Sequence, residues 1–419
     1  MIVDSGLLPV GWEIKQLGEV CHVIGGGTPF KGNEEFYTGE IPWATVRDMK
    51  SEIISETECR ITEEAVKKSS THIIEKGNVV IATRVGLGKV CMVAQDTAIN
   101  QDLKGIIPKD NNQVLIRFLF WWLKNIASLI KKEGTGATVQ GVKVTFIHAL
   151  KMPIPLLAEQ KRIVAILDEA FEECDRAIRN TENNLANARE LFESYLNSIF
   201  TQRSNGWVDK KLGDSELIQI IDGDRGTNYP QKSDFYPEGH CLFLNTKNVR
   251  SDGFNFDTTM FITEEKDNLL RKGKLKRRDV ILTTRGTIGN IAIYDDNVKF
   301  DHIRVNSGML IFRPNENIIT SEYLFEVLRS SSMKSQIEKF TSGAAQPQLP
   351  IKTLVNFTFP VPTSLEEQSC IVSNLHDLST ETQRLETIYR QKLAALKELK
   401  QSILQKAFTG ELTADKEVA

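Results

Sequence analysis

Two arginines stand where a side chain could read a nucleic acid. Val79-Val80-Ile81-Ala82-Thr83-Arg84 and Val280-Ile281-Leu282-Thr283-Thr284-Arg285 are apolar, β-branched runs that predict strands, and each ends in Thr-Arg at a glycine turn. A guanidinium at a strand end can reach a guanine edge or a phosphate. It can equally close a salt bridge at a sheet rim. The recurrence of the pair, from position 84 to position 285 in matching contexts, favours a shared role.

Weaker candidates surround them. Arg47-Asp48 and Lys247-Asn248 are matched polar pairs with base-reading chemistry. Gln140 and Gln346-Pro347-Gln348 lie in matched Gly/Ala/Gln loops, and glutamine can pair with adenine in the major groove. Arg271 to Arg278 holds six basic residues in eight, with Lys274 and Lys276 inside it. Such a run could neutralise phosphates, although solvated loops carry the same composition. Lys89, Lys143 and Arg225 complete the set of candidate DNA contacts. Trp12 and Trp207 read as core anchors rather than stacking platforms.

Catalytic patterns are missing from the same sequence. It has no GxxxxGK[ST] phosphate loop, and no GxGxxG follows a strand. The Asn/Asp-Pro-Pro-aromatic motif with which an adenine methyltransferase grips its base is absent too. Acid-x-Lys triplets such as Glu13-Ile14-Lys15 arise by chance in a chain with 26% charged residues. The six histidines show no HxxxH or HExxH spacing and the six cysteines no CxxC pair, so no metal site is expected.

A length of 419 residues suggests two or three domains, and 41% hydrophobic residues suit a globular chain. The net charge of −3 excludes a protein that coats nucleic acid without selectivity, so any DNA binding must rest on local basic surfaces. The most apolar run, Phe118 to Leu123, is too short for a membrane span of about 20 residues. Met1-Ile2-Val3-Asp4 lacks a secretory pattern, and a cytoplasmic location is expected.

The elements that position these residues come in two copies. Gly11-Trp12 and Leu17-Gly18 recur as Gly206-Trp207 and Leu212-Gly213, and Ile61-Thr62-Glu63-Glu64 recurs as Ile262-Thr263-Glu264-Glu265. Pro153-Ile154-Pro155 and Glu159-Gln160 recur as Pro360-Val361-Pro362 and Glu367-Gln368. The matches keep their order, which marks a duplication rather than a solenoid. The first part of each copy mixes short strands, turns and short helices. The second part lacks Gly and Pro and carries an apolar stripe at steps of three and four. In the first copy the stripe reads Ile163, Leu167, Ala170, Cys174, Ala177, Thr181, Leu185, Ala188, Leu191, Tyr195 and Ile199. In the second it runs from Ile371 through Tyr389, Lys392, Leu396 and Leu399 to Ile403. Each stripe needs a partner, and the other copy supplies one. The expected fold is α+β: two similar globular domains separated by two long helices, packed as an antiparallel coiled coil with pseudo-two-fold symmetry.

Taken together, these pieces resemble the specificity subunit of a type I restriction-modification system. The resemblance rests on Gly11-Trp12, Gly26-Gly27-Thr28-Pro29, Ile41-Pro42-Trp43, Thr83-Arg84-Val85-Gly86, Pro153-Ile154-Pro155 with Glu159-Gln160, and their second copies. Its most specific segment is Gln401-Ser402-Ile403-Leu404-Gln405-Lys406-Ala407-Phe408-Thr409-Gly410. The second copy departs at Ile221-Asp222-Gly223-Asp224-Arg225-Gly226, where Gly-Gly-Thr-Pro is missing. The resemblance implies target-recognition domains at 1–157 and 204–364, spacer helices at 158–203 and 365–409, and a tail at 410–419. It further implies a non-catalytic subunit that reads a split, asymmetric site in double-stranded DNA. Such a subunit docks two methyltransferase subunits and the restriction/translocase subunits, with AdoMet, ATP and Mg on those partners and no cofactor of its own. Two other classes compete: a coiled-coil scaffold without DNA readout, and an autonomous restriction enzyme, which the missing catalytic motifs disfavour.

Overall fold

The computed structural model describes residues 8–135, 140–201, 206–251, 253–341 and 348–414. The chain forms two compact units, Met1–Glu182 with Gln391–Ala419, and Asn183–Arg390.

In the first unit, strand Val79–Ala82 is buried on both faces, as its all-apolar sequence requires. It sits at the centre of a five-stranded sheet ordered Cys21–Gly25, Leu103–Pro108, Val79–Ala82, Val90–Val93, Ile53–Ile54. A four-stranded sheet lies beside it, ordered Cys59–Ile61, Ile41–Ala44, Thr97–Ile99, His72–Ile74, with its central pair parallel. Glu13–Gln16 pairs separately with Lys151–Ile154. Helix Ile116–Asn125 buries six consecutive residues, Phe118 to Leu123. A run buried all round needs apolar neighbours on more than one face. The ring of Trp121 lies 4.4 Å from that of Phe171, and that of Phe118 lies 5.2 Å from Phe408.

The second unit repeats this plan. Val280–Thr283 is central in a sheet ordered Ile218–Asp222, Met309–Pro314, Val280–Thr283, Ile291–Ile293. Cys241–Leu244 and Ile303–Val305 make the parallel pair of the smaller sheet. Val208–Lys211 pairs with Thr358–Val361. The strand His72–Ile74 has only a bridge as counterpart, between Lys274 and Arg304.

The long helices are Leu157–Thr201 and Leu365–Thr409, of 45 residues each. They pack antiparallel. In the first unit Ile163, Leu167 and Phe171 share a core with Leu404, Ala407 and Phe408, while Asp175 accepts from Lys400 at 2.6 Å. In the second unit Leu196 and Phe200 share a core with Leu375, and Arg189 donates to Glu386 at 3.1 Å. Gly410 ends the second helix at φ 83°, a left-handed position natural to glycine after a last turn.

The apolar stripe differs from the expected one beyond Ala188. Leu191 is 57% exposed, whereas Leu196 is 1% exposed, and Phe192, Leu196 and Phe200 carry the contact. Leu191-Phe192 and Tyr195-Leu196 are adjacent apolar pairs. Steps of three and four fit either member of each pair, so periodicity alone cannot choose. In the second helix the stripe slips the same way, with Lys392 and Leu399 exposed and Leu404 buried.

Candidate nucleic-acid interface

Arg84 and Arg285 are placed by the same backbone bonds. Thr83 is buried, and its N–H donates to the Asp102 carbonyl at 2.9 Å. Thr284 is buried, and its N–H donates to the Gly308 carbonyl at 2.8 Å. On the other side Val142 donates to Thr83, and Leu349 donates to Thr284, both at 2.9 Å. Arg84 bridges to Gly141, and Arg285 to Gln348. Each arginine is therefore held between two loops while its side chain points out. Arg84 lies 3.7 Å from Asp102 and is half exposed. Arg285 is exposed and pairs with no acid among the described residues. The turn beyond is tight: Val85 has φ 37° where its counterpart Gly286 has φ 72°. A β-branched residue in the left-handed region is strained, and such strain concentrates at functional loops.

A third loop is tied alongside. Asp48 is buried, and its carboxylate accepts from the N–H and hydroxyl of Thr45 and from the N–H of Glu58. Asn248 does the same work in the second unit. It is 1% exposed, accepts from the Asn245 N–H, and donates to the carbonyls of Asn255 and Thr258. The preceding residues, Arg47 and Lys247, are left exposed. Lys89 donates to the carbonyls of Val46 and Met49, and Asn290 to that of Val249, so both units fasten this loop to the arginine turn.

In the first unit these loops border a cleft of about 580 Å³, lined by residues including Thr28, Lys31, Arg47, Val85 and Gln101. Lys104 lies behind it, donating to the carbonyls of Gln101 and Leu103. Burial holds its ammonium below the usual lysine range and Arg84 adds to this, against the pull of Asp102. Lys31 and Gln101 were not among the expected contacts. Only the glycine-rich loop before Lys31, and the Asn-x-Asp turn around Gln101, hinted at them.

Several expected contacts prove to be engaged within the domain. Asn248 cannot present its amide to a base, because every polar atom of the side chain is spent on its own loop. Lys274 pairs with Asp267, which is fully buried and also accepts from Arg304. Burial opposes the charge on Asp267, but the hydrogen bonds and charges of Lys274 and Arg304 prevail and hold its pKa below the ordinary value. Arg277 bonds Asp301 and the carbonyls of Asp295 and Val298, and Arg278 bonds Glu316 and Glu322. Half of the basic run is thus internal pairing, and Lys276 remains exposed. Arg225 pairs with Asp222 at 3.1 Å and is half exposed. Gln140, Lys143 and Gln348 are exposed around the arginine loops. Gln346 lies outside the described residues.

Each unit is joined to its long helix by a glutamine. Gln160 is fully buried; its oxygen accepts from the Leu115 N–H, and its nitrogen donates to the carbonyls of Gln113 and Pro155. Gln368 is fully buried; its oxygen accepts from the Thr320 N–H, and its nitrogen donates to the carbonyls of Ile318 and Pro362. In both units the amide thus ties the first turn of the long helix to the start of the domain's own helix. The Glu-Gln repeat was visible in the sequence, but this role for it was not.

The model of the type I restriction modification DNA specificity domain matches this chain twice, at residues 9–187 and 204–395. The chain belongs to that family. It is 24% identical to the type I restriction enzyme MjaIX specificity subunit of Methanocaldococcus jannaschii, over 98% of this chain and 96% of that one. In fold it is similar to a chain solved in work on complex assembly and conformational transition of the type I R-M system. That match has a TM-score of 0.76 and 22% identity, and covers 97% of this chain and 99% of the other. The HsdS subunit from Thermoanaerobacter tengcongensis gives a TM-score of 0.62 at 21% identity, covering 97% and 98%. Among the described residues, no helix is long and apolar enough to cross a membrane.

Proposed function

We propose that this chain is the sequence-reading subunit of a type I restriction-modification complex. The observation that carries the proposal is the paired rim: two specificity domains hold Arg84 and Arg285 out of the same frame of backbone bonds. Each unit reads one half of a split site in double-stranded DNA. The residues differ between the rims, exposed Arg47 against exposed Lys247 and half-buried Gly141 against exposed Gln348, so the half-sites differ and the site is asymmetric. The long helices set the gap between the half-sites and dock two methyltransferase subunits. Those subunits carry AdoMet and methylate adenine, while ATP and Mg act on the restriction/translocase subunits. The chain itself catalyses nothing and works in the cytoplasm.

Single-molecule methylation mapping of the native host with and without the gene tests this reading. The expected result is loss of one bipartite adenine-methylated motif. Replacing residues 12–157 by those of another specificity subunit should then alter one half-site only. An unchanged methylome in a host with active partner subunits, or a change in both halves after the swap, overturns it.

A further inference from the structure

Phe30 is 74% exposed on a loop that is otherwise firmly seated. Gly27 donates to the Ile99 carbonyl at 3.0 Å, and its own carbonyl accepts from Trp43 Nε1 and the Thr71 hydroxyl. A Cβ on Gly26 would stand 2.1 Å from the Asn100 carbonyl oxygen, so only glycine lets the loop lie this close. Tyr37 donates to the Pro29 carbonyl at 2.7 Å, and Asn33 donates to the Phe30 carbonyl at 3.2 Å. Pro29 is buried and the next ring stands in solvent. Burying a phenylalanine is ordinarily favourable, and here a backbone pinned on both sides holds the ring in solvent instead, which leaves it available for an external use.

The surroundings say what that use is. Thr28 and Lys31, which flank Pro29-Phe30, line the cleft together with Arg47 and Gln101. The hydroxyl of Thr28 donates to the Gln101 side chain, fixing the loop to the turn that carries Asp102 beside Arg84. An exposed ring on a pinned loop, next to a cleft whose lining includes Lys31 and Arg47 as well as Asp48, Glu58 and Asp102, suits a wedge that opens a base step. At the matching place in the second unit, Gly226-Thr227-Asn228-Tyr229, the ring is half-buried against Phe243, and Arg225 pairs with Asp222 and the Ser307 carbonyl. We infer that Phe30 inserts between neighbouring base pairs in the half-site read by the first unit. Resting on the DNA-recognition reading, this assigns a specificity-determining residue that the arginine rim alone does not supply.

The test uses the intact complex of this chain with its modification subunits, on the duplex identified by methylation mapping. 2-Aminopurine is walked through each step of the first unit's half-site. Wild type is expected to brighten one step several-fold. Phe30→Ala should abolish that signal and raise the dissociation constant about tenfold, the range of one lost stacking contact. Phe30→Trp should restore both, and neither variant should alter the melting temperature, because the ring is exposed. No bright step with wild type, or brightening that persists in Phe30→Ala, overturns the wedge. A wild-type complex that fails to bind the mapped duplex removes the recognition reading and the wedge with it.

Discussion

Replacing Gln368 by alanine should loosen the second unit from its long helix without touching any exposed residue. The side chain is fully buried and makes three hydrogen bonds, at 3.0, 2.9 and 3.2 Å, all to backbone groups. Truncation strands the Thr320 N–H and the carbonyls of Ile318 and Pro362 at once. Each unsatisfied buried group costs about 1–3 kcal/mol, and water entering the vacated space recovers part of that. A loss of roughly 2–5 kcal/mol follows, against less than about 0.5 kcal/mol for alanine at the exposed neighbour Glu366. Urea unfolding of the two variants beside wild type measures the difference. Native-state hydrogen exchange gives the local reading, since the Thr320 amide should lose protection first. Because the bonds join the first turn of the helix to the start of Ser321–Arg329, the variant should also methylate sites whose spacer differs by a base pair. Wild-type stability with an unchanged Thr320 amide would refute the clamp, and Gln160→Ala is the matching experiment in the first unit.

The remaining predictions address the rim, the internal ion cluster and the helix seam. Arg84→Ala and Arg285→Ala should each weaken specific DNA binding by about 1–3 kcal/mol and relax preference within one half-site. Titrations against substituted duplexes check this, and unaltered affinity and preference for both variants would assign the arginines to structure. Asp267→Ala should destabilise the chain by about 3–5 kcal/mol, because it leaves Arg304 buried without its carboxylate. Since the folded state holds Asp267 below its ordinary pKa, its contribution is complete above about pH 4 and is lost as pH falls further, through the folded value. Asp267→Asn should accordingly flatten the acid limb of the stability curve, and an unchanged limb in urea melts at pH 3–5 would exclude that linkage. Leu196→Ala should cost roughly 2–5 kcal/mol and Leu191→Ala less than about 0.5, measured by urea melts. Equal losses would place the seam elsewhere.

Much of this architecture is legible in the sequence because duplication exposes it. The strands around Val80 and Ile281, the two long helices and the strand-end arginines all recur in order, and each carries its own periodicity or turn. What is not legible is the use of individual polar groups. Lys247-Asn248 reads as two equivalent polar residues, yet one is exposed and the other is sealed inside the loop. Nothing local distinguishes them, since the partners of Asn248 include Asn255 and Thr258, seven and ten residues away. The basic run misleads for the same reason. Asp267, Asp301, Glu316 and Glu322, which neutralise Lys274, Arg277 and Arg278, arrive from several separate segments. A charge run shows only the cations, while the acids that oppose them come from the fold.

Comparison of the two rims explains how one frame can serve two readings. The frame's bonds are made by backbone or by interchangeable groups: Asp48 or Asn248 closes the third loop, and Lys89 or Asn290 ties it to the arginine turn. The Thr83 and Thr284 bonds use main chain on both sides. Arg47, Lys247 and Gln348 enter this network through main chain alone, so a change of side chain at any of them leaves the loops in place. The frame fails instead where a buried polar group is removed, since each such loss strands its partners. Stability and recognition therefore fall on different residues. Substitutions at the exposed set should redirect a half-site with melting behaviour intact, whereas Asp48→Ala or Asn248→Ala should unfold the loop that presents them.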